Sequence, residues 1–204
     1  MGLLSGSVSI NRYKIEGQIP ENLIETVKEG LKKHRFPEIE DDTAEFMSGW
    51  TSFSNSFSAD FEAEKFQIMQ FFVFSVRIDK KTVSSKAVKK HVAIESARRL
   101  SESGKTFLSK AEKKEIKESI INMLMSRVPS NPDIYDLMWD MEKNEVWFFT
   151  GLKAAGEELE TLFSKSFGLR LVRLFPYSMA ELCCDFSPQE KDAFLKLTPT
   201  SFRI

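Results

Sequence analysis

The sequence predicts an α+β fold: helices packed on a largely antiparallel sheet or pair of sheets, with a protruding basic antiparallel helical hairpin. Three observations carry this expectation. Apolar residues alternate along residues 66–78, as a strand requires. Strand-period and helix-period segments follow one another as β-α-β-β-β, two helices, then β-β-α-β. Finally, the two central helices are joined by only about five residues, a connection that brings them back antiparallel.

In chain order, residues 7–15 read as a strand through Val8, Ile10, Tyr13 and Ile15, closed by Gly17 and Pro20. Residues 21–34 read as a helix, because Leu23, Ile24, Val27 and Leu31 share one face. Gly30 argues against that helix and Pro37 ends it. The Ser-Phe repetition over residues 51–58 predicts a hairpin. In residues 66–78, Phe66, Ile68, Gln70, Phe72 and Phe74 alternate with Gln67, Met69, Phe71, Val73 and Ser75. Both faces are largely apolar, which places this strand centrally and buried.

Ser84 or Ser85 can cap a helix running to about Ser103, with Gly104 as its stop. Ser109-x-x-Glu112 has capping-box spacing and opens a second helix to about Arg127, before Pro129 and Pro132. Each arm would be roughly 25 Å long at 1.5 Å per residue. Residues 134–141 and 145–150 read as strands around Glu142-Lys143-Asn144. Residues 153–167 form a helix with Leu159, Leu162, Phe163 and Phe167 inward and Gly168 just beyond, and residues 169–175 a last strand. Residues 177–204, with Pro188 and Pro199, carry no periodic signal and are expected to be irregular. The expected organisation is an N-terminal α+β module over residues 1–79, the hairpin over 80–130, and a C-terminal α+β module over 131–204 that shares one body with the first.

Composition bounds the function classes. The chain has 204 residues, 42% hydrophobic and 29% charged, the balance of a soluble globular protein, and its eighteen Phe supply core material. No apolar run approaches the ~20 residues that span a bilayer, so no membrane association is expected. Met1-Gly2-Leu3-Leu4-Ser5-Gly6 matches neither a secretory signal nor a myristoylation pattern. The two cysteines, Cys183 and Cys184, are adjacent and poorly placed to share a metal or a bridge, which fits a reducing cytoplasm.

Charge is the most asymmetric property. Residues 80–117 hold twelve Lys or Arg against four Glu, leaving seventeen basic and twenty-six acidic residues elsewhere, so the stretch is +8 and the remainder −9. Lys110, Lys113, Lys114 and Lys117 fall at i, i+3, i+4 and i+7, one stripe on the second helix. Lys86, Lys89 and Lys90 lie on the opening turns of the first helix and Arg98 and Arg99 near its end; Lys80, Lys81 and Lys105 extend the charge. Such a basic projection is a candidate for sequence-independent contact with phosphates of nucleic acid. The bland alternative is a solvated face, with Glu112, Glu115 and Glu118 spaced to pair with the lysines.

Catalytic readings find less support. His34 and His91 are the only histidines, and with adjacent cysteines they give no zinc spacing. Acidic clusters at Glu38, Glu40, Asp41, Asp42, Glu45 and at Asp60, Glu62, Glu64 leave a metal-dependent nuclease as the runner-up, with Glu62 and Glu64 as its carboxylates. Gly104-Lys105-Thr106 lacks the upstream glycine of a phosphate loop, since Arg99 stands there. Phe53, Phe57, Phe61, Phe66, Phe71, Phe72 and Phe74 could stack on bases but fit core positions better. A protein-interaction module with a charged arm is a third class.

A family resemblance sharpens these readings. Phe36-Pro37 followed by Met47-Ser48-Gly49-Trp50, the run SKAEKKEIKESIINMLMSR over residues 109–127, Leu137-Met138-Trp139-Asp140 with the strand WFFT, and FSKSFGLRLVRLFP over residues 163–176 occur in an order that resembles the bacterial recombination-associated RdgC family. The resemblance implies a non-enzymatic, cofactor-free homodimer that rings duplex DNA with little sequence preference and restrains the RecA recombinase, in a nucleoid-associated, cytoplasmic setting. It carries the role of lining the DNA passage onto Lys86, Lys89, Lys90, Lys113 and Lys117. Two departures bear on it. Family members typically continue for roughly another hundred residues, and closing a ring takes two separate contacts between subunits, one of which can depend on that part. The family also tends to place an aromatic residue after the helix's terminal Arg, where Arg127 is followed by Val128 and Pro129.

Overall fold

A computed structural model describes residues 2–37, 45–61 and 65–198. Within them the chain is α+β, with six helices and one seven-stranded antiparallel sheet. The elements are β1 (Asn11–Glu16), α1 (Leu23–Lys33), β2 (Phe46–Ser52), β3 (Gln67–Ile68), β4 (Phe71–Lys80), α2 (Ser85–Ser103), α3 (Lys110–Met125), β5 (Asn131–Asp140), β6 (Glu145–Phe148), α4 (Lys153–Phe167), β7 (Arg170–Leu174), α5 (Pro176–Cys183) and α6 (Pro188–Leu195). The strand order is β2-β4-β5-β6-β1-β7, with β3 pairing β4 in line with β2. One sheet therefore takes strands from both sides of the hairpin.

Period-two alternation explains the core. Phe72, Trp139, Val146 and Tyr13 are register partners across β4, β5, β6 and β1, and all four are buried. On that face α1 contributes Val27 and Leu31, and α4 contributes Leu159, Leu162, Phe163 and Phe167. Aromatic rings join the layers: Phe167 lies 5.6 Å from both Trp50 and Trp139, and Phe163 lies 5.2 Å from Trp139. Burial pushes the Tyr13 hydroxyl up to about 12, with the Glu160 carboxylate adding to the shift and Arg173 opposing it.

Gly30 finds its reason here. A Cβ at this position would stand 2.6 Å from the Ser166 carbonyl oxygen and 2.7 Å from the Phe167 ring, so α1 and α4 can approach only because the side chain is missing. Gly30→Ala is expected to destabilise the fold by about 1–3 kcal/mol through overpacking, against the ~1 kcal/mol gain in helix propensity. A lowered urea midpoint with unchanged m-value checks it.

Three expectations are corrected. The single strand over residues 66–78 is broken: Met69 takes φ 55° and turns the chain back, leaving β3 at the edge and β4 as the buried central strand. The hairpin expected over residues 51–58 is not a strand pair: Thr51 and Ser52 end β2, which pairs with β4, the Ser52 N–H donates to the Ser58 carbonyl across a loop, and Phe61 enters the core. The tail to Leu195 is not irregular. Pro176 opens α5, and Ser187 and Glu190 form a capping box around Pro188 to open α6. Those signals lie within three residues and have no period to announce them.

Candidate nucleic-acid interface

The hairpin leaves the sheet from β4 and returns through β5. Gly104, left-handed at φ 65°, ends α2, and the Ser109–Glu112 capping box begins α3. Ser84 stands at the start of α2 without a side-chain cap, so that half of the expected signal is not used. The arms hold a hydrophobic cluster of their own: Leu108, Ile116 and Ile120 are buried against Val92, Leu100, Met123 and Leu124. No residue of α2 is fully buried. At 1.5 Å per residue the nineteen residues of α2 span about 28 Å.

The ten basic residues of α2, α3 and their connection up to Lys117 divide into two groups. Four are committed to carboxylates. Arg98 pairs with Glu95 at 2.7 Å and Glu102 at 2.9 Å, and Arg99 pairs with Glu95 at 3.4 Å and Glu115 at 3.3 Å. Lys105 reaches Glu112 at 2.8 Å, and Lys114 lies 3.7 Å from Glu118. The other six, Lys86, Lys89, Lys90, Lys110, Lys113 and Lys117, are exposed and make no ion pair among the described residues. Lys110, Lys113 and Lys117 span an arc of about 60° on α3, at 100° per residue. Lys81, expected to extend the charge, is instead buried.

The paired carboxylates respond to their cations. The Glu112 carboxyl is pulled down to about 2, chiefly by the hydrogen bond from Lys105 and then by the Ser109 backbone N–H and hydroxyl. Glu95 is also lowered, first by Arg98. A depressed carboxylate contributes stability above its unfolded pKa and loses it as pH falls through the folded value. An NMR titration should therefore place the Glu112 midpoint near 2, and Lys105→Ala should raise it; an ordinary carboxylate midpoint would show the capping network is not formed.

The other named residues are scattered. His34 closes α1 and His91 lies on α2. Cys183 and Cys184 are exposed free thiols. Glu38, Glu40, Asp41, Asp42, Glu62 and Glu64 lie outside the described residues. Among the described residues no three His, Cys, Asp or Glu side chains converge as metal ligands, and no helix is long and apolar enough to cross a membrane. Of the phenylalanines, Phe61, Phe72 and Phe74 are core, while Phe57 lies over Arg77 at 5.3 Å. One residue escaped the sequence reading: Phe107, at the hairpin tip beside Lys105, is 75% exposed. A lone aromatic in a short connection was its only signal.

Residues 9–181 match the family model described as "Putative exonuclease, RdgC". The chain belongs to the RdgC family. The RdgC match covers every strand, the whole hairpin and nearly all of α5, and it stops before α6. No curated protein matches the chain. Several residues that carry the resemblance are structural. Trp50, Trp139 and Phe148 are fully buried, and Phe36 stacks on Arg77 at 4.1 Å. Gly168 holds the left-handed cap of α4 at φ 67°. In RdgC terms these residues specify the body of the fold.

Proposed function

We propose that this RdgC-family chain is a non-enzymatic, sequence-independent duplex-DNA-binding protein. It acts as a homodimer at the nucleoid, modulating homologous recombination by restraining a RecA-type recombinase on DNA. The observation that carries the reading is the set of six exposed lysines on the hairpin that make no ion pair among the described residues. Lysine presents a hydrated point charge suited to phosphate, and no cluster of Asn, Gln or Arg interleaves with these six in the manner of a recognition helix, Asn122 and Arg127 lying further along the chain. Family membership supports the reading through the resemblance that brought recombination control with it.

The family description favours a second reading, an exonuclease. One experiment separates the two: binding to labelled duplex and single-stranded DNA across a salt series with Mg²⁺, with strand length checked afterwards. If each of the six lysines neutralises one phosphate, the log–log salt slope is about −5, a loss of about a thousandfold between 50 and 200 mM salt. Intact DNA with that slope supports the binder. Shortening from an end that is lost when Glu62 and Glu64 become Ala supports the exonuclease, and no binding at low salt moves the hairpin to a protein partner.

A further inference from the structure

We propose that the base of the hairpin is a docking site for a short acidic peptide of a protein partner, one presenting large apolar side chains flanked by carboxylates. Where α2 opens and α3 closes, a cleft of about 320 Å³ is walled by Val83 and Val88 on one arm and Ile121 and Met125 on the other. None of the four belongs to the hairpin's own hydrophobic cluster or to the main core, and each is half-exposed. Apolar surface left in water at about 25 cal/mol per Å² is a standing incentive for a partner to cover it. Met125 adds the adaptable thioether common on such docking surfaces.

Charge decides the occupant. Lys89 and Lys117 line the same cleft from opposite arms, and neither has a carboxylate partner among the described residues. The occupant must therefore bring anionic groups beside apolar ones. A nucleobase fits poorly, since no aromatic ring lines the cleft as a stacking platform and Ser85 offers the only neutral polar side chain. An acidic peptide with interspersed aliphatic residues meets both demands, and the volume suits one or two side chains. Because Lys89 and Lys117 also belong to the lysines assigned to DNA, such a peptide competes with phosphates at the hairpin base. That competition rests on the DNA-binding reading; the docking itself does not.

The test uses the full chain and a fluorescein-labelled ten-residue peptide alternating Leu and Asp, read by fluorescence anisotropy at 50 mM salt. Saturable binding is expected, falling about tenfold or more in K89E/K117E and equally in Ile121→Ser. Val88→Ser reads the same cleft from the other arm should Ile121→Ser unfold the hairpin. Peptides with Asn for Asp, or Ser for Leu, should also bind about tenfold more weakly. Ile121→Ser should retain duplex binding, whereas K110E/K113E should lose duplex and keep peptide, so the two readings fail separately. No saturation at millimolar peptide, equal binding of the Leu-free peptide, indifference to both Ile121→Ser and Val88→Ser, or binding only to phosphatidylserine vesicles would each overturn the proposal.

Discussion

Replacing Lys110, Lys113 and Lys117 together with Glu is expected to weaken duplex-DNA binding by about a thousandfold at 0.1 M salt. The magnitude follows from counterion release: a slope of about −0.9 per phosphate is worth nearly tenfold per contact at that concentration, and three contacts are removed. The measured slope should fall from about −5 to about −2.5 or less. Loss should be uniform across sequences, because lysine–phosphate contacts carry no base information. Lys114→Ala is the informative control. Its ammonium sits 3.7 Å from Glu118 on the same helix, so it has less charge to offer and its loss should matter little. If Lys114→Ala proved as damaging as the triple reversal, exposed pairing would not be what sorts these lysines, and the interface would have to be redrawn.

Asp79→Ala is expected to destabilise the protein by about 3–5 kcal/mol, since it removes a buried carboxylate that pairs with the Arg77 guanidinium and accepts from Ser130. Arg77 and Asp79 are both buried on β4, joined by two hydrogen bonds of 2.7 and 2.5 Å. Phe36 lies over the guanidinium at 4.1 Å. Ser130 donates to the same carboxylate at 3.3 Å, so Asp79 ties the strand that leaves for the hairpin to the residue just before β5. The pair itself is not expected to be a large net stabiliser, because both ions are desolvated. Replacing both by apolar residues, Arg77→Met with Asp79→Leu, should therefore recover most of the loss. Chemical denaturation of the three proteins checks this. A loss below about 1 kcal/mol for Asp79→Ala would mean that the buried guanidinium does not depend on this carboxylate.

Much of this architecture was legible in the chain because its signals are local. The alternation in β4 and β5, the 3.6-residue period of α1 and α4, the glycines after α2 and α4, and the Ser109–Glu112 box each need only neighbours within a turn or two. The same holds for the basic stripe on α3, since helical spacing alone puts Lys110, Lys113 and Lys117 on one side. Tail helices α5 and α6 were missed because eight residues each give too few turns to show a period.

The sequence by itself determined the α+β class, the central helical hairpin and its charge, and the flanking elements α1, β5, β6, α4 and β7, because propensity, capping and periodicity act between residues close in the chain. Only the tertiary structure decided which charges are available and why Gly30 sits in a helix. Arg99 meets Glu115 across the hairpin arms, Lys105 meets Glu112 around its tip, and Gly30 meets Phe167 from another helix. Those contacts join residues from seven to more than a hundred positions apart, and their energies depend on distances that no local pattern encodes.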